Sequence, residues 1–141
     1  LFPIASGGNL GLHRDVLAEV GGFRDDFVGA EDHEFSLRLA VAGIPVAFAP
    51  DARLLYRMRA EPRALWRQGI GYGRNRPRLR REVARAGLHA PGRLSGIRSW
   101  VRLVTSLPSL RHGPGRAQWC WIAGVRTGHV LGSVRDRTLF L

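Results

Sequence analysis

The sequence predicts an α/β fold in two parts: a unit built on a mixed sheet over residues 1–60, and a basic, mostly helical region over residues 61–141. Two observations support this prediction. In the first part, short apolar runs bounded by glycine, proline or aspartate surround a single amphipathic segment, which is the pattern of strands beside a packed helix. In the second part, apolar residues recur at helical spacing among many arginines.

Residues 1–60 contain three candidate strands, at 1–5, 44–49 and 53–56, and two candidate helices, at 13–20 and 31–42. Paired glycines end the first helix and Gly43 ends the second, because glycine readily adopts the backbone angles that stop a helix. Acidic residues fill the first turn of the second helix, where the helix dipole favours negative charge. Pro50 and Asp51 form the turn between the last two strands.

Residues 61–141 contain four candidate helices, which begin near Pro62, Arg78, Ile97 and Arg116. Glycines at positions 69, 71 and 73 are expected to loosen the first of these helices. Residues 89–93 form a linker. The most apolar stretch, residues 117–125, is too short for a membrane span.

The charge is unevenly distributed along the chain. Residues 1–56 carry four arginines against eight acidic residues, a net charge of −4, whereas residues 57–141 carry eighteen arginines against three acidic residues, a net charge of +15. This asymmetry predicts chemistry in the first part and an anionic partner for the second. The candidate anions are a nucleoside diphosphate, an anionic membrane face and nucleic acid.

The composition also limits the kinds of site that the chain can form. Cys120 is the only cysteine, so an intrachain disulfide and a cysteine-rich metal site are both excluded. The chain has no secretory signal pattern, and it begins within an apolar run. We therefore expect it to be a fragment of a longer protein.

Five short motifs in residues 6–56 occur in a fixed order: Ser6-Gly7-Gly8-Asn9, Gly21-Gly22-Phe23, Glu31-Asp32, Arg38 and Pro50-Asp51-Ala52. No single motif is specific, but the ordered set resembles the acceptor-side half of glycosyltransferase family two. The resemblance implies the acceptor-side half of a GT-A domain, which is Rossmann-like with a mixed sheet. It also implies an inverting transfer of a sugar from a nucleotide-sugar donor.

The Glu31-Asp32 pair is the candidate catalytic centre. In the family resembled, the aspartate of this pair is the general base, which implies that Asp32 accepts the proton of the acceptor hydroxyl and that Glu31 orients the acceptor or its loop. A hydroxyl is a poor nucleophile until a carboxylate within hydrogen-bond reach takes its proton. The alternative is that both residues only stabilise the start of a helix.

Two further groups are candidate binding residues. Gly7 and Gly8 would let the backbone approach a bound sugar, with Asn9 supplying amide contacts, or else the three residues form an ordinary turn. Arg67 and Arg74 would bind the diphosphate leaving group, because guanidinium groups pair with phosphate oxygens in a fork, or else they lie on a solvated basic helix.

The sequence departs from the family pattern at the positions that would bind the metal ion. Tyr56 stands where the family often has a metal-binding histidine, and a phenol is a poor ligand for a hard divalent cation. Asp25 and Asp26 lie in a loop and do not match the Asp-x-Asp motif of the donor half. His33 is interpreted as a partly exposed residue on a helix. A Mg²⁺ or Mn²⁺ ion would therefore be bound by residues missing from this chain.

The predicted function is glycosyl transfer in the synthesis of a bacterial cell-envelope polysaccharide, from a nucleotide-sugar donor to a saccharide or lipid-linked acceptor. The predicted place is the cytoplasm, at the inner face of the cell membrane. An apolar stripe from Ile97 to Leu107, flanked by Arg98 and Arg102, favours docking on an anionic membrane, although a core helix shows the same pattern.

The alternative is a basic module without catalysis that binds a membrane surface or nucleic acid. We predict no nucleic acid partner, because the chain has no recognised nucleic-acid-binding motif and the acidic residues of its first part would have no role there.

Overall fold

The chain folds into six α-helices, as seen in a computed structural model that describes residues 2–57, 59–92 and 95–140. The helices are α1 (Arg14–Val20), α2 (Glu31–Val41), α3 (Pro62–Arg74), α4 (Arg76–Arg85), α5 (Ile97–Thr105) and α6 (Gly113–Arg135). Short 3-10 turns at Asp25–Phe27 and Leu107–Arg111 precede α2 and α6.

The predicted mixed sheet, and with it the α/β fold class, is wrong: the described ranges contain no strand. A strand requires a second strand to pair with its N–H and C=O groups, and the apolar runs at 44–49 and 53–56 find none. They are largely exposed, and Leu55 is 100% accessible. Ala5, at the end of the first predicted strand, donates its N–H to the Ser36 hydroxyl at 2.9 Å. Leu1 lies outside the described residues.

The predicted helices are confirmed, including the helical character of the C-terminal region. The bounds of α1 and α2 differ from the predicted ones by one residue each. The expected loosening around residues 69–73 does not occur, since α3 runs without a break to Arg74. The predicted linker at 89–93 is non-helical where it is described, and Arg93 lies outside the described residues.

The hydrophobic core lies between α2, α4 and the turn that precedes α2. Its buried members are Phe27, Ala30, Leu37, Leu79 and Val83. They come from both sides of the boundary predicted at residue 60, so α4 covers the inner face of α2. Two arginines cap this core, with the guanidinium groups of Arg24 and Arg78 each lying over the Phe27 ring.

Helices α3 and α6 approach each other closely along rows of glycine. Gly69 and Gly73 on α3 face Gly124, Gly128 and Gly132 on α6, and the spacing of four residues keeps each row on one face of its helix. A Cβ atom built on any of the five would collide with a backbone carbonyl oxygen of the other helix. The glycines therefore allow direct packing of backbone on backbone.

The short helix α5 and the 3-10 turn after it pack on α6 and leave an apolar stripe in solvent. Leu103 faces inward, and its carbonyl accepts a hydrogen bond from the Trp119 indole at 2.9 Å. Across the described ranges, no helix combines the length and the apolar character that a membrane span needs.

A methyl group added at the helix contact should destabilise the fold. A Cβ on Gly69 would lie 2.6 Å from the carbonyl oxygen of Trp121, whereas a Cβ on Gly71 of the same helix meets nothing within 4 Å. We expect Gly69→Ala to lower the free energy of unfolding by about 1–3 kcal/mol. Gly71→Ala should leave it unchanged or raise it by up to about 1 kcal/mol, because alanine favours a helix.

Urea denaturation of both variants measures this difference. Equal stabilities for the two variants would show that α3 and α6 do not pack through their glycines.

Candidate functional site

Asp32 is the second residue of α2, and the loop before it is fixed by a glycine contact. Gly29 has a φ of +77°, and a Cβ there would lie 2.7 Å from the carbonyl oxygen of Gly71 on α3. Only glycine both adopts a positive φ readily and lacks the Cβ atom that would collide with α3. The start of α2, and Asp32 with it, is therefore held against α3.

The Asp32 carboxylate accepts hydrogen bonds from three groups. Its Oδ1 accepts the backbone N–H of His33 at 2.8 Å and lies 2.7 Å from the Nδ1 of the same residue. Its Oδ2 accepts a longer bond of 3.5 Å from the Gly7 N–H. Burial pushes the pKa of Asp32 upward, but the hydrogen bonds from His33 and Gly7, together with the charge that His33 carries at acidic pH, outweigh it, so the pKa is lowered. The side chain stays 20% exposed, so an ionised carboxylate reaches solvent.

His33 fixes the orientation of that carboxylate. Burial and the nearby Arg76 guanidinium lower the pKa of His33, and its bond to Asp32 offsets this only in part. The ring is therefore neutral at pH 7. Because the carboxylate only accepts, the proton of the neutral ring lies on Nδ1 and points at Asp32.

Other polar groups surround the pair. Burial, the Tyr56 phenol and the carboxylates of Glu31 and Asp32 raise the pKa of Tyr72. The Oε2 atom of Glu31 is buried and has no hydrogen-bond partner among the described residues. The site therefore combines two carboxylates, a neutral imidazole and a phenol.

The predicted glycine turn reaches this site. Gly7 meets Asp32 directly, and a Cβ on Gly7 would lie 3.6 Å from the Asp32 Cβ. Asn9 uses its amide to hold the turn, donating to the Ala52 carbonyl at 2.7 Å. Gly8 is exposed beside Leu54. The structure thus brings the predicted glycine turn, through Gly7, next to the predicted catalytic residue Asp32.

The two predicted diphosphate-binding arginines lie elsewhere on the surface of α3. Arg67 is exposed and lines a shallow hollow with Arg59, Ala64 and Gln68. Arg74 is exposed at the C-terminal end of the same helix.

Arg38 has a structural position. Its guanidinium binds the buried Glu34 carboxylate at 3.0 Å and donates to the carbonyls of Gly21 and Gly22, which joins the end of α1 to α2. A hollow of about 570 Å³ between α1, α2 and α4 opens beside this ion pair and is not lined by Asp32.

The described residues do not form a metal site of their own. No group of three or more histidine, cysteine or acidic side chains gathers anywhere in the described ranges. Glu31 and Asp32 with their neighbours therefore do not fit a divalent cation as a complete ligand set.

The comparison with protein families decides the class. The model of the family described as glycosyl transferase family group 2 matches residues 1–133. The chain belongs to this glycosyltransferase family. Neither the comparison with curated proteins nor the comparison with solved structures finds a match. Glycosyl transfer is the function of this family. The match confirms the resemblance to family two.

Two neighbours of Asp32 in this glycosyltransferase escaped the sequence analysis. His33 was interpreted as a partly exposed residue on a helix, which its 19% exposure supports, but its bond to Asp32 was not predicted. Its position directly after Glu31-Asp32 at the start of a helix was a usable signal. Arg76 gave no signal, because it is one of 22 basic residues and only the folded chain brings it beside His33.

Removal of the His33 hydrogen bond should raise the pKa of Asp32. In His33→Leu the carboxylate stays buried but loses a donor, so its charged form becomes less favourable. The carboxyl carbon resonance of Asp32, followed by NMR through a pH titration, measures the change. His89→Leu removes a histidine without a bond to Asp32 and should leave the pKa where it was. An Asp32 pKa that stays the same or falls in His33→Leu would contradict this account.

Proposed function

We propose that this chain carries the acceptor side of an inverting glycosyltransferase, in which Asp32 is the general base. The acceptor hydroxyl loses its proton to Asp32 as its oxygen attacks the anomeric carbon of a nucleotide-sugar. The bond from that carbon to the diphosphate breaks on the opposite face, and the nucleoside diphosphate leaves with the electron pair.

The state of the Asp32 carboxylate supports this proposal most directly. A base must be unprotonated, partly accessible and fixed in direction. The lowered pKa keeps Asp32 ionised, a fifth of its side chain is exposed, and His33 holds one oxygen at 2.7 Å. The Oδ2 atom, whose one bond is long, is the atom that we assign to the acceptor proton.

The neighbouring groups have supporting roles in the proposal. Glu31 orients the acceptor through its unpartnered Oε2 atom. The Gly7 and Gly8 backbone lies beside a bound sugar, and the Oδ1 atom of Asn9 is left to accept from one of its hydroxyls because the Asn9 amide holds Ala52.

The diphosphate is assigned to Arg67 and Arg74, whose exposed guanidinium groups suit phosphate oxygens in a bidentate geometry. Any Mg²⁺ or Mn²⁺ ion is assigned to residues outside this chain, and no step here runs through it.

The exposed stripe on α5 supports a place at the membrane. Trp100, Val101, Val104 and Leu107 lie in solvent, and the chain between Glu82 and Asp136 has no acidic residue. Apolar side chains with flanking arginines suit an anionic lipid surface. We therefore propose peripheral attachment to the cytoplasmic face of the membrane, with a saccharide or lipid-linked acceptor and no nucleic acid partner.

Replacement of the base tests the mechanism. In Asp32→Asn, turnover should fall by roughly 10²–10⁴-fold, because the amide cannot accept the proton. Affinity for the donor should change little. Initial rates and donor binding measure the two effects, and NMR of the product shows whether the anomeric configuration is inverted. Asp15→Asn, which changes an exposed acid on α1, serves as the matched control. Near-normal turnover in a folded Asp32→Asn protein, or a retained configuration, would refute the proposal.

A further inference from the structure

Arg76 carries an unpaired charge close to the candidate base. It is the first residue of α4 and is partly buried, and its guanidinium makes no hydrogen bond or ion pair with any described residue. Burial lowers the pKa of Arg76, the Asp32 charge acts against this from a distance, and Arg126 lowers it further. A partly buried cation without a direct partner costs free energy, so we expect an anion to bind at this position.

Arg76 opens into a small cavity whose other walls are mainly apolar. The cavity has a volume of about 130 Å³. Its apolar walls include Phe2, Leu79, Val83 and Phe140, and His33 and Arg80 also line it. His33 forms part of the wall and binds Asp32 on its other side, so the cavity adjoins the candidate base.

We propose that this cavity binds a phosphate group that carries an apolar tail, with Arg76 as the direct ligand and Arg80, which also lines the cavity, as the second charge. The volume leaves room for a phosphate head, since one water molecule needs only about 10–15 Å³ of such space. The apolar walls select for a hydrocarbon next to the phosphate, and guanidinium groups are strong phosphate ligands.

The inference rests on the proposed function for its biological meaning. If Asp32 is the base, a phosphate held beside His33 belongs to the acceptor, so the acceptor is a lipid phosphate or another phosphorylated amphiphile. Binding itself requires no sugar transfer and can be tested separately.

Isothermal titration with hexyl phosphate tests the site. Hexyl phosphate should bind at least tenfold more tightly than inorganic phosphate, because its alkyl chain meets the apolar walls. Arg76→Gln should weaken this binding by roughly 10- to 100-fold, the usual effect of losing a charged hydrogen bond. Arg63→Gln removes the same charge from an exposed position on α3 and should leave binding unchanged.

A stability measurement separates binding from folding. Arg76→Gln removes a partly buried charge that has no direct partner among the described residues. Its melting temperature without ligand should equal or exceed that of the wild type, while its affinity for hexyl phosphate falls. A purely structural Arg76 would instead give a lower melting temperature in this variant.

Three outcomes would overturn the proposal. The first is no binding of hexyl phosphate by the wild-type protein. The second is equal weakening in Arg76→Gln and Arg63→Gln, which would indicate general attraction to a basic surface. The third is binding of uridine diphosphate that depends on Arg76 without binding of hexyl phosphate, which would assign the site to the leaving group. Loss of turnover in Asp32→Asn bears on none of these outcomes, so the two proposals fail independently.

Discussion

The close approach of α3 to α6 is the constraint on which the rest of the structure depends. Glycines at five positions let the two backbones meet without side chains between them. This contact places α3 so that its other side, at Gly71, receives Gly29 from the loop before α2. Asn75, between α3 and α4, extends the arrangement: its amide donates to the Val28 carbonyl at 3.0 Å and accepts from Arg135 of α6 at 2.8 Å. The same packing therefore fixes α6, the loop 28–30 and the start of α4.

The chemistry of the site follows from that packing. Because the loop at Gly29 rests on α3, Asp32 lies at the start of a helix whose entry is fixed, and the adjoining α4 brings Arg76 within reach of His33. Burial and the Arg76 charge keep the imidazole neutral, and the neutral imidazole donates to the carboxylate. Stability is sacrificed in this region, since the partly buried Arg76 has no described carboxylate in direct contact. Unfavourable local electrostatics of this kind are typical of functional sites.

The sequence predicts local features of this protein well and distant contacts poorly. The helices follow from their end signals, and Asp32 follows from the order of the motifs around it. The strands at 44–49 and 53–56 were wrong because a short apolar run says nothing about whether a partner strand exists. The contacts of Gly29 with Gly71 and of His33 with Arg76 join residues more than forty positions apart, and no short pattern marks them. The glycines of α3 were expected to loosen the helix, as glycine does in an isolated helix. In the fold they instead permit the close packing of α3 on α6.

The most direct test of this account compares sugar transfer by Gly29→Ala and Gly43→Ala. Both glycines have a positive φ, +77° and +71°, so both substitutions strain the backbone equally, but only a Cβ on Gly29 meets α3. If the contact with Gly71 positions the base, Gly29→Ala should lower kcat at least about tenfold, as expected for a misplaced catalytic group. Helicity by circular dichroism should remain, and Gly43→Ala should keep nearly normal turnover. Equal turnover in the two folded variants would contradict the claim that glycine packing on α3 holds Asp32 in place.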